Sequence, residues 1–117
     1  MKFDPLSLLF TSLLILGIDL PWLYMTQEIS GKMFRSIQGA PIQVVWWAAL
    51  VVYVALAYLV LQTKEPIEAF GLGLATYAVY DFTNLATLRG YEPWFAVMDS
   101  LWGGVLFYLT RTVLNTL

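Results

Sequence analysis

The chain contains neither cysteine nor histidine. Without them there is no disulfide, no Cys/His zinc site, no haem ligated by either residue, and no nucleophile paired with an imidazole. Any metal would have to be a hard cation on oxygen ligands, and no cofactor is expected. Charge is scarce as well: 12% of residues are Asp, Glu, Lys or Arg, where soluble domains carry about 25%. The net charge of -2 and the lack of any basic run exclude nucleic acid as an expected partner. No lysine lies inside a long apolar run, so retinal bound through a Schiff base is excluded too.

What is present is mostly apolar, 60% of 117 residues with a mean hydropathy of +0.72. The expectation is a single integral, multi-pass membrane domain, an all-α bundle of four transmembrane helices with short loops. Membrane lipids are its expected surroundings, and a homo-oligomer or a larger membrane assembly its expected company. The apolar runs place spans at about 5–25, 43–61, 67–88 and 94–114, each able to cross ~30 Å of hydrocarbon. Asp4-Pro5 is a strong helix start, a capping carboxylate before proline at the first helical position. Asp4 also breaks the basic head a cleaved signal peptide would have beside Lys2, so a retained anchor is expected. Pro21 removes a backbone bond beside Asp19, so a kink is expected there.

Residues 26–42 read as a long connection. Ile29, Met33 and Ile37 recur every four residues, which fits either an interfacial amphipathic turn or two or an irregular polar loop. Pro41 opens the second span, which holds no Asp, Glu, Lys or Arg; that span and the Gly71/Ala75 edge are free for contacts between copies. Four spans leave both termini on one side (side A). Side B has the 26–42 connection and the Arg89 turn. Lys2, Lys64 and Arg111 on A balance Lys32, Arg35 and Arg89 on B, so the positive-inside rule ties.

Tyr77-Ala-Val-Tyr-Asp-Phe-Thr-Asn84 is the most informative stretch. Helical spacing gives Tyr77, Tyr80, Asp81 and Asn84 one polar edge, with Thr83 beside it. An acid within a span costs roughly 2.5–3.5 kcal/mol on insertion scales. Asp19, Asp81 and Asp99 each fall ~8–10 Å below side B at 1.5 Å per residue, so three helices carry an acid to one level. Asp19-x-x-Trp22 and Asp99-x-x-Trp102 repeat a spacing that puts an indole on the same face as its acid. Gly103 clears that face for a neighbouring backbone. Asp99 lies near a helix N-terminus, which favours its charge, and Asp19 and Asp81 near C-termini, which do not. Asp81 or Asp19 is therefore expected to hold a proton while Asp99 is charged, with Arg89 reaching partway back toward Asp81.

These segments resemble a known family. Ile18-Asp19-x-x-Trp22-Leu23, Tyr77-Ala-x-Tyr80-Asp81-x-Thr83-Asn84-Leu85-Ala86-Thr87-Leu88 and Asp99-x-x-Trp102-Gly103 are similar to the domain of unknown function 2177 family of small multi-pass membrane proteins. The resemblance implies four spans and a membrane location, in bacteria or in a viral or eukaryotic membrane, and brings no activity. Three functions remain open on the residues themselves. One is a proton- or cation-binding carrier or channel-like protein, using the relay chemistry of intramembrane acids. Another is a structural or assembly component in which the polar groups set helix register. The third is a lipid-modifying enzyme using the acids as acid/base groups or ion ligands, without a nucleophile to help it.

Overall fold

The computed structural model describes residues 4–117, and Lys2 lies outside them. Four helices, α1 (Pro5–Gln38), α2 (Trp46–Leu61), α3 (Pro66–Thr87) and α4 (Pro93–Thr116), make an all-α chain, with no strand among the described residues. Proline opens three of them. Pro5, Pro66 and Pro93 each occupy a first-turn position, where the missing N–H has no partner to lose. Asp4 caps α1 by accepting from Leu6 N at 3.1 Å and from Ser7 Oγ at 2.8 Å.

The largest departure from expectation is the length of α1. It runs unbroken through Pro21 and through most of the expected connection, ending at Gly39 in the left-handed region with φ 75°. There the cap N–H donates to the Arg35 carbonyl, a closure that glycine makes without Cβ strain. The cause is a continuous buried stripe. Thr11, Ile15, Asp19, Thr26 and Met33 are buried at helical spacing, and after Pro21 no further proline intervenes before Gly39. The second helix correspondingly starts at Trp46, not near Pro41, and residues 39–45 run non-helically back to it.

The last third of α1 covers the α3–α4 turn. Met33, Tyr91, Phe95 and Ala96 form a buried cluster there, flanked by Phe34, Ile37 and Leu88. Gly90 takes φ 91° in the turn, with Ile37 over it. A second, larger core joins all four helices through Ile15, Leu56, Ala57, Val60, Ala69, Leu106 and Phe107.

The tightest seam is α3 against α4. A Cβ added at Gly73 would stand 2.2 Å from the Gly103 carbonyl and 2.6 Å from the Phe107 ring, and one at Gly103 would stand 2.3 Å from the Tyr77 ring. Backbones this close fix the antiparallel register: Gly73 meets Phe107 and Tyr77 meets Gly103. Four residues on along α3 and four back along α4, Asp81 is brought opposite Asp99.

By length and composition one helix, α1, is long and apolar enough to cross a membrane, while α2 is apolar over a shorter 16 residues.

Candidate functional site

The two Asp-x-x-Trp motifs interlock. Helices α1 and α4 run antiparallel, so each motif meets the other reversed. Trp22 Nε1 donates to Asp99 Oδ1 at 3.1 Å, and Trp102 Nε1 donates to Asp19 Oδ1 at 2.8 Å. The two indoles stack between the acids, centroids 5.1 Å apart and planes 9° from parallel. Each acid therefore takes its donor from the opposite helix, not from the tryptophan three residues along its own.

Asp19 is completed from α2. The Tyr53 hydroxyl donates to Asp19 Oδ2 at 2.5 Å, so both carboxylate oxygens are occupied and the residue is only 4% exposed. Tyr53 lies in the second span, which holds no Asp, Glu, Lys or Arg and was expected to be free for contacts between copies. Its hydroxyl is one of few polar side-chain groups in an apolar run, which is the signal that could have identified it. The dipole expectation for Asp19 also fails, because α1 continues about five turns beyond it.

Asp81 is held differently. Tyr91, from the α3–α4 turn, donates its hydroxyl to Asp81 Oδ1 at 2.7 Å, taking the place expected for Arg89, which is exposed. Asn84 lies beside the same phenol oxygen. Burial, then the neighbouring Asp81, pushes the Tyr91 phenol above its ordinary range, so it remains a donor. The other oxygen, Asp81 Oδ2, is buried with no hydrogen-bond partner, on a residue only 3% exposed. It belongs to the carboxyl that the α3–α4 register sets opposite Asp99.

The structure thus draws Asp19, Trp22, Asp81, Asp99 and Trp102 into one connected group. Tyr77 packs its ring against Gly103 beside them, and Asn84 borders the group through Tyr91. Tyr80 is 45% exposed and touches the group only by an edge-on contact with Tyr77 at 6.0 Å. Thr83 points outward, and its carbonyl accepts from Thr87. The edge expected for Tyr77, Tyr80, Asp81 and Asn84 is therefore incomplete at Tyr80, and Thr83, expected beside it, lies on the exposed face of the helix.

Among the described residues no hydrogen bond or ion pair ties any of the three acids to a lysine or arginine; the donors are two indoles and two phenols. Nor are three or more acids gathered there as a set that could hold a metal ion. The acids form a chain, not a cage.

A family model described as "Predicted membrane protein (DUF2177)" matches residues 6–114. The chain belongs to the DUF2177 family of membrane proteins. No curated protein and no solved structure matches it. The family match spans every residue of the polar group, from Asp19 to Trp102, and both tyrosines that complete it.

Proposed function

We propose that this DUF2177 member is a four-span membrane protein whose Asp81–Asp99 carboxyl pair binds a proton shared between the two helices. One observation carries this: Asp81 Oδ2 is buried, lacks a partner, and belongs to a carboxyl set against Asp99. Two carboxylates cannot hydrogen-bond each other without a proton between them, and an unsatisfied buried acceptor costs roughly 1–3 kcal/mol. One shared proton removes both difficulties without a cation. The alternative ligand, a divalent ion, would want six or more oxygens, and indole and phenol donors already occupy three of the six carboxylate oxygens through Asp19 and Asp99, with a fourth on Asp81.

Four spans are supported by the outward faces. Leu9 and Leu13 on α1, Leu50 and Val51 on α2, Val79 on α3, and Leu101 and Val105 on α4 are all exposed, an outer surface suited to lipid on every helix.

A structural role is favoured for the other half of the group. Asp19 has both oxygens satisfied and its indole partner locked in a stack, so it acts as a fastener joining α1, α2 and α4. The test is proton movement in vesicles reconstituted with the purified protein under an imposed potential. Asp81→Asn and Asp99→Asn should each reduce it to the level of empty vesicles. Unchanged flux in both variants would overturn the proposal.

A further inference from the structure

Helix α1 is 34 residues long, and about twenty residues suffice to cross ~30 Å of hydrocarbon. Counted from Pro5, such a crossing ends near Met25, so residues 26–38 stand in and beyond the side-B headgroup layer. The chain then doubles back. Residues 39–45 return without helix to Trp46, and a cleft of about 350 Å3 is left between them and α1. Gln27, Glu28, Lys32 and Arg35 make one wall, and Pro41 and Ile42 the other. Gly31 also lines it, and a Cβ there would meet nothing within 4 Å.

The two walls differ in chemistry. Lys32 and Arg35 lie three residues apart on one helix face, and among the described residues neither side chain has a hydrogen-bond or ion-pair partner. Arg111, by contrast, donates to the Thr63 carbonyl at 2.7 Å and to Asn115 Oδ1 at 3.1 Å. Side chains on a helix lean toward its N-terminus, which for this part of α1 is the membrane side, so both cations are aimed back at the headgroup layer. The facing wall is apolar and continues as a ribbon. Ile42, Val44, Val45, Trp46 and Trp47 are each 47% or more exposed, and the two indoles suit the interfacial depth that tryptophan favours.

We infer that this cleft binds the phosphate of a monoanionic phospholipid headgroup, with Lys32 and Arg35 on the phosphate oxygens and residues 42–47 against the glycerol and the upper acyl chains. Ammonium and guanidinium groups give phosphate strong, charge-assisted hydrogen bonds. Two cations against the one carboxylate of Glu28 leave the cleft a net charge of +1. That balances a single phosphate diester and disfavours a second anionic group. Glu28 and Gln27 face the remainder of the headgroup, where hydroxyl groups are suitable partners. None of these residues belongs to the Asp81–Asp99 group, so the site stands whether or not that pair binds a proton.

The test is binding of a fluorescent phosphatidylglycerol to the purified full-length protein in neutral detergent micelles. Wild type is expected to bind it about tenfold more tightly than the matching phosphatidylethanolamine. Replacing both cations, Lys32→Gln with Arg35→Gln, is expected to lower the affinity about thirtyfold, the contribution of two basic side chains at a lipid surface. Gly31→Leu fills the cleft without changing its charge and is expected to weaken binding as well. Arg89→Gln removes a side-B cation outside the cleft and is expected to leave the affinity within about twofold. An equal loss in Arg89→Gln and the double variant would replace the site with diffuse attraction, and full affinity in Gly31→Leu would place binding elsewhere. Equal binding of phosphatidylethanolamine, whose ammonium would pair with Glu28, overturns the selectivity for a monoanionic lipid. Displacement of the lipid by excess inorganic phosphate overturns the lipid as the occupant.

Discussion

Trp22 and Trp102 stack face to face at 5.1 Å, and each hydrogen-bonds the acid that precedes the other by three residues. Two helices are joined by two donor–acceptor pairs and one ring contact. The arrangement has local two-fold character, although the helices differ elsewhere.

This interlock should behave as a unit. Trp22→Phe removes the indole donor of half-buried Asp99, and Trp102→Phe that of buried Asp19; each should cost about 1–3 kcal/mol. In a double-mutant cycle the two should be non-additive by about 0.5–3 kcal/mol. Unfolding in mixed micelles measures this; additive losses would mean the two pairs are independent.

Tyr53 should matter where its neighbour Tyr58 does not. Tyr53→Phe leaves buried Asp19 Oδ2 bare, and an unsatisfied buried acceptor costs about 1–3 kcal/mol. Tyr58 is 49% exposed, so Tyr58→Phe should fall within about 0.5 kcal/mol of wild type. The same unfolding measurement compares them, and equal effects would remove α2 from the polar group.

The register seam gives a steric prediction. A methyl at Gly103 would meet the Tyr77 ring at 2.3 Å, whereas one at Gly71 meets nothing within 4 Å. Overpacking of this kind costs about 1–3 kcal/mol. Gly103→Ala should therefore lower the thermal midpoint and Gly71→Ala should not. Gly103→Ala should also move Asp81 off Asp99, so proton flux should fall with it.

Alkaline stability should report on Tyr91. Its phenol stands above the ordinary value of about 10 in the folded state. The unfolded chain then loses that proton first and binds fewer protons than the native one, so stability declines as pH rises above the ordinary value. Tyr91→Phe should flatten this decline relative to wild type. Titrating unfolding from pH 8 upward in both proteins checks the sign, and parallel curves would refute it.

Much of the site was legible and part was not. Asp19, Asp81 and Asp99 stand out because acids are rare in apolar runs, and helical rise places them at one depth. The partners of those acids were not legible. The repeated spacing pairs each acid with the tryptophan on its own helix, and the antiparallel crossing exchanges them. Arg89 is nearer Asp81 in charge logic, but the Gly90 turn directs Tyr91 inward instead. Thr83 shares a segment with Asp81 and not a direction.

Sequence by itself determined four helices, the proline-marked starts of three of them and the apolar exterior, because caps, proline geometry and hydrophobic periodicity act over a few residues. It also determined that three acids had to find donors, since their burial is costly anywhere in such a chain. Tertiary structure alone decided how far α1 extends, since the stripe past Thr26 is stabilised only by the α3–α4 turn it covers. It also decided which donor meets which acid and that one fully buried carboxylate oxygen, Asp81 Oδ2, is left without one. Those outcomes depend on the register of packed helices, and that register is set by the backbone approach at Gly73 and Gly103.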